Sequence, residues 1–132
     1  MFYNDGTSYE GYWKNDKREG PGLLLSKENQ EIYRGEFKDD VFEGKGRLYN
    51  MKARIIKENF NYIDFSRLGE SWVMYEGEFI RGKKEGNGVL ILSNGEKFEG
   101  RFKEDRIDGK GKFFKSDGAV VEKVWIDDKL KY

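Results

Sequence analysis

The chain alternates between apolar or glycine positions and mostly charged positions in four short stretches. They are YEGYW from Tyr9, YRGEF from Tyr33, YEGEF from Tyr75 and FEGRF from Phe98. A period of two is typical of a β-strand with one buried face, because successive side chains point to opposite sides of the sheet. The alternation therefore predicts four strands, each with an aromatic face and a polar face.

A second strand is predicted after each of these stretches. Four to six polar residues follow, as in KNDKRE and KEDRID, and then a glycine-rich stretch such as GNGVL continues the alternation. Because this is an ordinary length for a hairpin loop, each unit is predicted to be a β-hairpin. The pattern further predicts that Trp13 faces Gly20 across the first hairpin. Gly11 then faces Gly22.

Glycine recurs at a fixed spacing in all four units. The second glycine of a unit lies nine residues after the first, and the third lies two residues beyond the second. Glycine weakens the interior of a strand, so a recurrent glycine signals close approach by a ring or by another backbone. We predict that these are bare strand positions across which aromatic rings lie. The structural glycines are Gly11, Gly20, Gly22, Gly35, Gly44, Gly46, Gly77, Gly86, Gly88, Gly100, Gly109 and Gly111.

Residues 1–132 are predicted to form a single domain. The distances between the first residues of successive units divide this domain into stacked units. The starts are separated by 24, 42 and 23 residues. We assign the long interval to one additional, degenerate unit, with Ile56 and Phe60 in the aromatic positions and Glu58 and Arg67 replacing two glycines. Strand is predicted there, since β-formers such as Phe65 are frequent. The predicted units are 9–32, 33–55, 56–74 (degenerate), 75–97, 98–120 and a partial unit 121–132, preceded by the tail of a repeat at 1–8.

The predicted fold class is all-β. A lone hairpin cannot bury its own apolar face in water, whereas neighbouring hairpins share a continuous one. We therefore expect an elongated, single-layer antiparallel sheet of stacked β-hairpins.

The units resemble MORN (membrane occupation and recognition nexus) repeats, whose pattern is YxGxWxxGxxxGxG. YEGEF...EGNGVL, YRGEF...EGKGRL, YEGYW...EGPGLL and FEGRF...DGKGKF carry the resemblance. The mid-turn glycine of the family is retained at Gly82, whereas Asp16, Asp40 and Asp105 occupy that position elsewhere. The resemblance implies a MORN repeat array with this fold.

The resemblance also implies a function class. MORN arrays are found in scaffolds that organise membranes and cytoskeleton, so it implies a non-catalytic scaffold for protein–protein interaction or self-association in cytoskeletal, ciliary or membrane-associated assemblies. Two alternatives stay open: a phospholipid or membrane-surface binding module, and the targeting fragment of a larger enzyme.

Composition and charge exclude several function classes. The chain has no His and no Cys, so the usual bases, nucleophiles and soft-metal ligands are absent. Neither GxGxxG nor a Gly-Lys-Ser/Thr loop occurs. Lys plus Arg equal Asp plus Glu at 25 each, which leaves no net field for nucleic acid. We expect no catalytic residues, no cofactor, no metal and no nucleic-acid partner; the absence of Cys and of long apolar runs suggests a cytoplasmic protein, with cytoskeletal or membrane association left open.

The aromatic stripe is the candidate partner-binding face, and its alternative is a hydrophobic core. The expected partner is another protein or a second copy of the chain. The candidate residues are Tyr9, Trp13, Tyr33, Phe37, Tyr75, Phe79, Phe98, Phe102 and Trp125.

Basic clusters and carboxylate pairs are weaker candidates. Arg81, Lys83 and Lys84, or Lys110 and Lys112, could make a weak contact with anionic lipid, but acidic neighbours interrupt each cluster. The pairs 39–40 and 127–128 consist of Asp residues in predicted turns, where Asp is favoured for its local hydrogen bonds.

Overall fold

The computed structural model describes residues 3–131, which form one antiparallel sheet of ten strands in chain order. The strands are β1 (Ser8–Lys14), β2 (Lys17–Leu25), β3 (Glu31–Lys38), β4 (Val41–Tyr49), β5 (Trp72–Ile80), β6 (Lys83–Leu92), β7 (Lys97–Lys103), β8 (Arg106–Phe114), β9 (Val120–Ile126) and β10 (Lys129–Leu130). A 3-10 turn, η1 (Phe65–Arg67), lies between β4 and β5. The predicted all-β sheet of hairpins is confirmed. Two residues of the predicted tail 1–8, and Tyr132, lie outside the described residues.

Each hairpin closes with a two-residue turn, which is shorter than the predicted loop. Asn15 and Asp16 both have positive φ, 52° and 64°, and the same holds at 39–40, 81–82, 104–105 and 127–128. Two successive left-handed residues are typical of a type I′ turn, whose twist matches that of the flanking strands. The other polar residues of each predicted loop therefore extend the strands.

The short turn changes the register beside it. Trp13 pairs with Arg18, so the prediction that Trp13 faces Gly20 is wrong. Further from the turn, Gly11 does pair with Gly22. Between these two pairs β2 has three residues where β1 has one, and a β-bulge absorbs the difference.

Tyrosine rings lie over opposed glycines. Gly77 pairs with Gly88, and a Cβ added to Gly77 would lie 2.7 Å from the hydroxyl oxygen of Tyr75. The Tyr75 hydroxyl donates a hydrogen bond to the carbonyl oxygen of Glu78 (2.9 Å), at the bulge. The ring therefore fills the space above two glycines and also satisfies a backbone acceptor. Rings in the equivalent position are those of Tyr9, Tyr33 and Phe98.

The middle glycine of a unit has a different role. Gly86 has a φ of +82° and lies opposite Phe102 of the next unit. A Cβ at Gly86 would meet the Glu78 carboxylate at 2.6 Å, so the expectation that Gly86 lies beneath a ring is wrong. Glycine is favoured there because the bulge requires left-handed backbone.

Residues 50–71, which we call the insertion segment, contribute no hairpin to the sheet. β4 pairs directly with β5, with Gly46 opposite Gly77, as at the other junctions between complete units. The expected strand in the degenerate unit is therefore wrong for residues 56–71, which contain η1 and an isolated bridge between Asp64 and Lys129.

The insertion segment packs instead on the aromatic face of the C-terminal half. The ring centroid of Phe65 lies 5.4 Å from that of Phe98 and 5.9 Å from those of Phe113 and Trp125. Phe60, Tyr62 and Leu68 belong to the same apolar cluster. The sheet therefore gains a second layer over this half.

A buried carboxylate ties the insertion segment to the sheet. Glu96 is only 1% exposed. Its Oε1 accepts hydrogen bonds from Phe60 N (2.8 Å) and Asn94 Nδ2 (2.7 Å), and its Oε2 accepts one from Ser116 N (3.1 Å). A buried carboxylate is stable only when its oxygens are satisfied in this way. Glu96 therefore links the insertion segment to the turns on either side of the β7–β8 hairpin.

Glu96→Ala is expected to lower the free energy of unfolding by about 2–3 kcal/mol, because three N–H donors lose a charged acceptor at a buried position. Urea unfolding followed by circular dichroism measures the change. The control is Glu99→Ala, since the Glu99 carboxylate is exposed and pairs with Lys97 at 3.3 Å; it is expected to cost less than about 1 kcal/mol. Equal losses in the two variants contradict the role given to Glu96.

Candidate interaction surfaces

The structure buries eight of the nine aromatic residues predicted to bind a partner. Their side chains are at most 3% exposed, which favours the alternative that the stripe is a hydrophobic core. Trp13 differs, since 43% of it is exposed. Contact between a partner and any of the nine stays a prediction. The buried residues are Tyr9, Tyr33, Phe37, Tyr75, Phe79, Phe98, Phe102 and Trp125.

Rings of adjacent units contact one another edge to face. The centroids of Tyr75 and Phe102 lie 5.0 Å apart at an interplanar angle of 82°, and those of Phe98 and Trp125 lie 5.2 Å apart at 90°. Such pairs contribute about 0.5–1.5 kcal/mol beyond the area they bury. Each of these second-position rings therefore packs on the first-position ring of the preceding unit.

The N-terminal end of the sheet is open. β1 pairs with β2 and, across residues 3–131, with no second strand. The side chains of residues 10–14, which we call the N-terminal edge, are exposed, with Tyr12 at 68%. An edge strand presents backbone N–H and C=O groups that can pair with another chain. Trp13 lies within this edge.

At the C-terminal end, the chain itself covers the part of β9 around Trp125, where β10 pairs with residues 125 and 126. Trp125 occupies the position equivalent to Trp13 but is fully buried, and its Nε1 donates a hydrogen bond to the Tyr62 carbonyl (2.7 Å). Leu130 N donates to the carbonyl of Ile63 (2.8 Å), which joins β10 to the insertion segment. The two ends of the sheet therefore differ in what they offer to a partner.

Carboxylates link each turn to the unit before it. Asp105 Oδ1 accepts a hydrogen bond from Lys84 N (2.8 Å), and Glu85 Oε1 accepts one from Glu104 N (3.1 Å). Equivalent bonds run from Arg18 N to Asp40 and from Ile107 N to Asp128. The candidate pairs 39–40 and 127–128 therefore contain caps of backbone N–H groups. Across residues 3–131, no group of three or more acidic residues is arranged to hold a metal ion.

The sequence reasoning missed these links, although a signal for them is present. An acidic residue directly precedes the middle glycine in every complete unit, and each of these side chains accepts a hydrogen bond from the first turn residue of the next unit. These acidic residues are Glu19, Glu43, Glu85 and Asp108.

A cavity of about 160 Å³ lies between the insertion segment and the sheet. Lys84 Nζ lies within it, 3.8 Å from Asp105 Oδ1 and 4.8 Å from the ring centroid of Trp72. Burial lowers the pKa of Lys84, and burial raises the pKa of the Asp128 carboxyl in the same cavity. Since Lys84 is engaged inside the protein, it is poorly placed to contact lipid phosphate.

The polar face carries a shallow groove of about 530 Å³ above the glycines of β6, β7 and β8. Lys110 and Lys112 line it together with Glu76, Glu99 and Glu122. The mixture of signs gives no basic patch for an anionic surface. Within the described part of the chain, no helix has the length and apolar character needed to cross a membrane.

Comparison with known families identifies the repeat. The model of the MORN repeat matches residues 9–28, 33–50, 75–97 and 98–120. The chain belongs to the MORN repeat family. The four MORN matches coincide with the hairpins whose first strands are β1, β3, β5 and β7, and none falls within the insertion segment beyond residue 50. The predicted resemblance is confirmed.

Alsin from three mammals is similar to this MORN chain. The identity is 29% with the Rattus norvegicus protein and 30% with the Mus musculus and Homo sapiens proteins, each over 109 residues. The alignment covers 82% of this chain but 6% of Alsin, so the chain spans about 6% of the length of these relatives. The similarity therefore supports a repeat module and does not extend to the remainder of Alsin.

Proposed function

We propose that this chain is a non-catalytic scaffold that binds polypeptides, a second copy of itself included, by adding a strand to its N-terminal edge. The supporting observation is the contrast between Trp13, 43% exposed, and Trp125, which is buried in the equivalent position. Membership of the MORN family supports an interaction module. By analogy with the family, we place it in cytoskeletal or membrane-associated assemblies of the cytoplasm.

Strand addition suits the chemistry of this edge. The backbone groups of β1 supply hydrogen bonds, and a neighbouring strand would cover the exposed indole of Trp13. Burying such a ring is favourable by about 1.5–3 kcal/mol. By contrast, no His or Cys is available for catalysis, and the turn carboxylates are engaged with backbone N–H groups.

A second copy fits the edge in charge and in shape. Two copies related by a twofold axis at Gly11 place Gly11 opposite Gly11, which repeats the glycine–glycine pairing seen inside the sheet. Glu10 then lies opposite Tyr12 of the second copy, so no like charges face each other. Antiparallel pairing of the two edges would continue the sheet without a break.

Sedimentation velocity over a concentration series tests this proposal. The parent chain is expected to form a dimer as its concentration rises, and Trp13→Ala is expected to weaken that dimer at least about tenfold through the loss of the buried ring. Ile55→Ala is the control, because Ile55 is 67% exposed and lies in the insertion segment. A monomer at every concentration contradicts self-association, and an unaffected dimer in Trp13→Ala contradicts the assigned edge.

Flotation with vesicles separates this function from the membrane-surface alternative. The mixed charges that line the groove on the polar face predict no flotation with vesicles containing phosphatidylserine. Flotation that increases with anionic lipid and decreases with salt supports the alternative instead.

A further inference from the structure

The four junctions between successive hairpins follow one pairing rule. At each, the second strand of one hairpin pairs with the first strand of the next, and a glycine with positive φ lies opposite a buried aromatic ring. The pairs are Gly20 with Phe37, Gly44 with Phe79, Gly86 with Phe102 and Gly109 with Trp125. A ring at this position is buried wherever such a strand lies beside it.

The rule extends along the junction. At the first three junctions, a second glycine two residues later lies opposite a glycine, as in Gly46 with Gly77; at the last junction, Gly111 lies opposite Lys123. The following residue lies opposite a charged residue: Arg47 faces Glu76, and the Arg47 guanidinium lies 3.0 Å from its carboxylate. The last junction also places a basic residue, Lys112, opposite Glu122. At the other two junctions the residue in this position is apolar: Leu23 lies opposite Arg34, and Val89 lies opposite Glu99.

The N-terminal edge has the residues that the first strand of a hairpin contributes to such a junction. Its Trp13, Gly11 and Glu10 occupy the positions that Phe79, Gly77 and Glu76 occupy in β5. Within residues 3–131, no strand with the donating pattern lies beside Trp13. The internal junctions therefore show which residues a neighbouring strand needs in order to bury a ring in the position of Trp13.

We infer that the preferred occupant of the N-terminal edge is a β-strand with the pattern Gly-x-Gly-Lys/Arg, the second strand of a repeat hairpin in another polypeptide. The first glycine lies opposite Trp13, the second lies opposite Gly11, and the basic residue pairs with Glu10. This inference rests on the proposed function, since it names the partner of the same edge. β2, β4, β6 and β8 already have strands on both sides, so a folded second copy has no free strand of this kind.

A peptide from the chain itself provides the probe. Residues 41–47, VFEGKGR, carry Gly44, Gly46 and Arg47 in the required order. We expect this peptide to shift the backbone amide resonances of residues 10–14 in the full chain and to move Trp13 fluorescence to shorter wavelength. It should also dissociate any dimer formed through the same edge.

Matched variants test the glycine and charge positions separately. A peptide with Gly44→Val is expected to bind at least tenfold more weakly, because valine disfavours the positive φ of +70° that Gly44 has in the sheet. A peptide with Arg47→Glu is expected to bind about three- to tenfold more weakly, and Glu10→Arg in the chain should restore its binding. Glu10 is exposed on β1, so the Glu10→Arg chain is expected to fold.

The outcomes distinguish the inference from the proposed function. Equal binding by the parent and variant peptides, or shifts centred away from residues 10–14, overturns the partner pattern. If the dimer depends on Trp13 but the peptide does not dissociate it, the inferred partner pattern is wrong, while the proposed function stands. Selective peptide binding by a chain that remains monomeric supports the pattern and contradicts self-association.

Discussion

Gly88→Ala is expected to lower the free energy of unfolding by about 3 kcal/mol or more. The new Cβ would enter the space filled by the ring of Tyr75, whose Cζ lies only 2.6 Å from that position. The ring cannot move aside, because Phe79 and Phe102 pack against it with centroids 5.1 Å and 5.0 Å away. Overpacking of this kind typically costs 1–3 kcal/mol, and the close-packed surroundings set the cost at or above the upper end. Guanidinium unfolding measures it.

Two comparisons isolate the ring from the backbone. Gly95→Ala adds a methyl group where no atom lies within 4 Å, so its cost of roughly 1–2 kcal/mol reflects only the positive φ of +92°. Combining Gly88→Ala with Tyr75→Ala should cost less than the sum of the single variants, because the second change removes the clash. Additive costs contradict the ring-over-glycine geometry.

Phe65→Ala is expected to lower the free energy of unfolding by about 3–5 kcal/mol, as for other buried aromatic residues replaced by alanine. Phe65 is buried and contacts the rings of Phe98, Phe113 and Trp125. Its loss leaves a void between the insertion segment and the sheet. Unfolding followed by tryptophan fluorescence reports both the stability and the environment of Trp125.

The control for Phe65 is Ile55→Ala in the same segment. Because Ile55 is 67% exposed, its truncation is expected to change stability by less than about 0.5 kcal/mol. If Phe65→Ala unfolds at the same denaturant concentration as Ile55→Ala, the insertion segment is not anchored through Phe65.

The repeat itself could be predicted from the sequence because its physical causes are local. Each ring needs glycines beneath it, so glycines recur at a fixed spacing in the sequence. Aromatic and polar residues alternate along each strand because successive side chains point to opposite faces of the sheet. The register at Trp13 could not be predicted in the same way. It depends on left-handed backbone at Asn15 and Asp16 and on a bulge near Gly20, neither of which changes the period of two.

The insertion segment could not be predicted because its structure is set by distant contacts. Its apolar residues are also β-formers, and local preference favours a strand wherever such residues cluster. Phe65 instead packs on rings of β7, β8 and β9. The burial of Glu96 could not be predicted either, because a glutamate beside a turn is usually exposed to solvent. Its hydrogen-bond donors, Phe60 N and Ser116 N, are distant in the sequence.

The candidate edge was only partly visible in the sequence. The sequence pattern groups Trp13 with eight other aromatic residues, since each occupies one of the two aromatic positions of its unit. Its exposure follows from the place of β1 in the strand order, which composition does not reveal. The turn carboxylates were assigned to turns, but their hydrogen bonds to the preceding unit required the register.

The contact between the insertion segment and β10 determines which end of the array unfolds first. In a repeat protein each unit is held mainly by its neighbours, so opening starts at whichever end has fewer contacts. The insertion segment leaves the sheet between β4 and β5 and is bridged through Asp64 to Lys129 in the last strand, which couples β5–β10 into one cooperative block. The β1–β2 hairpin has no such tie. Amide hydrogen exchange should therefore be fastest in β1 and slowest in β7 and β8, because the array unfolds from its N-terminal end.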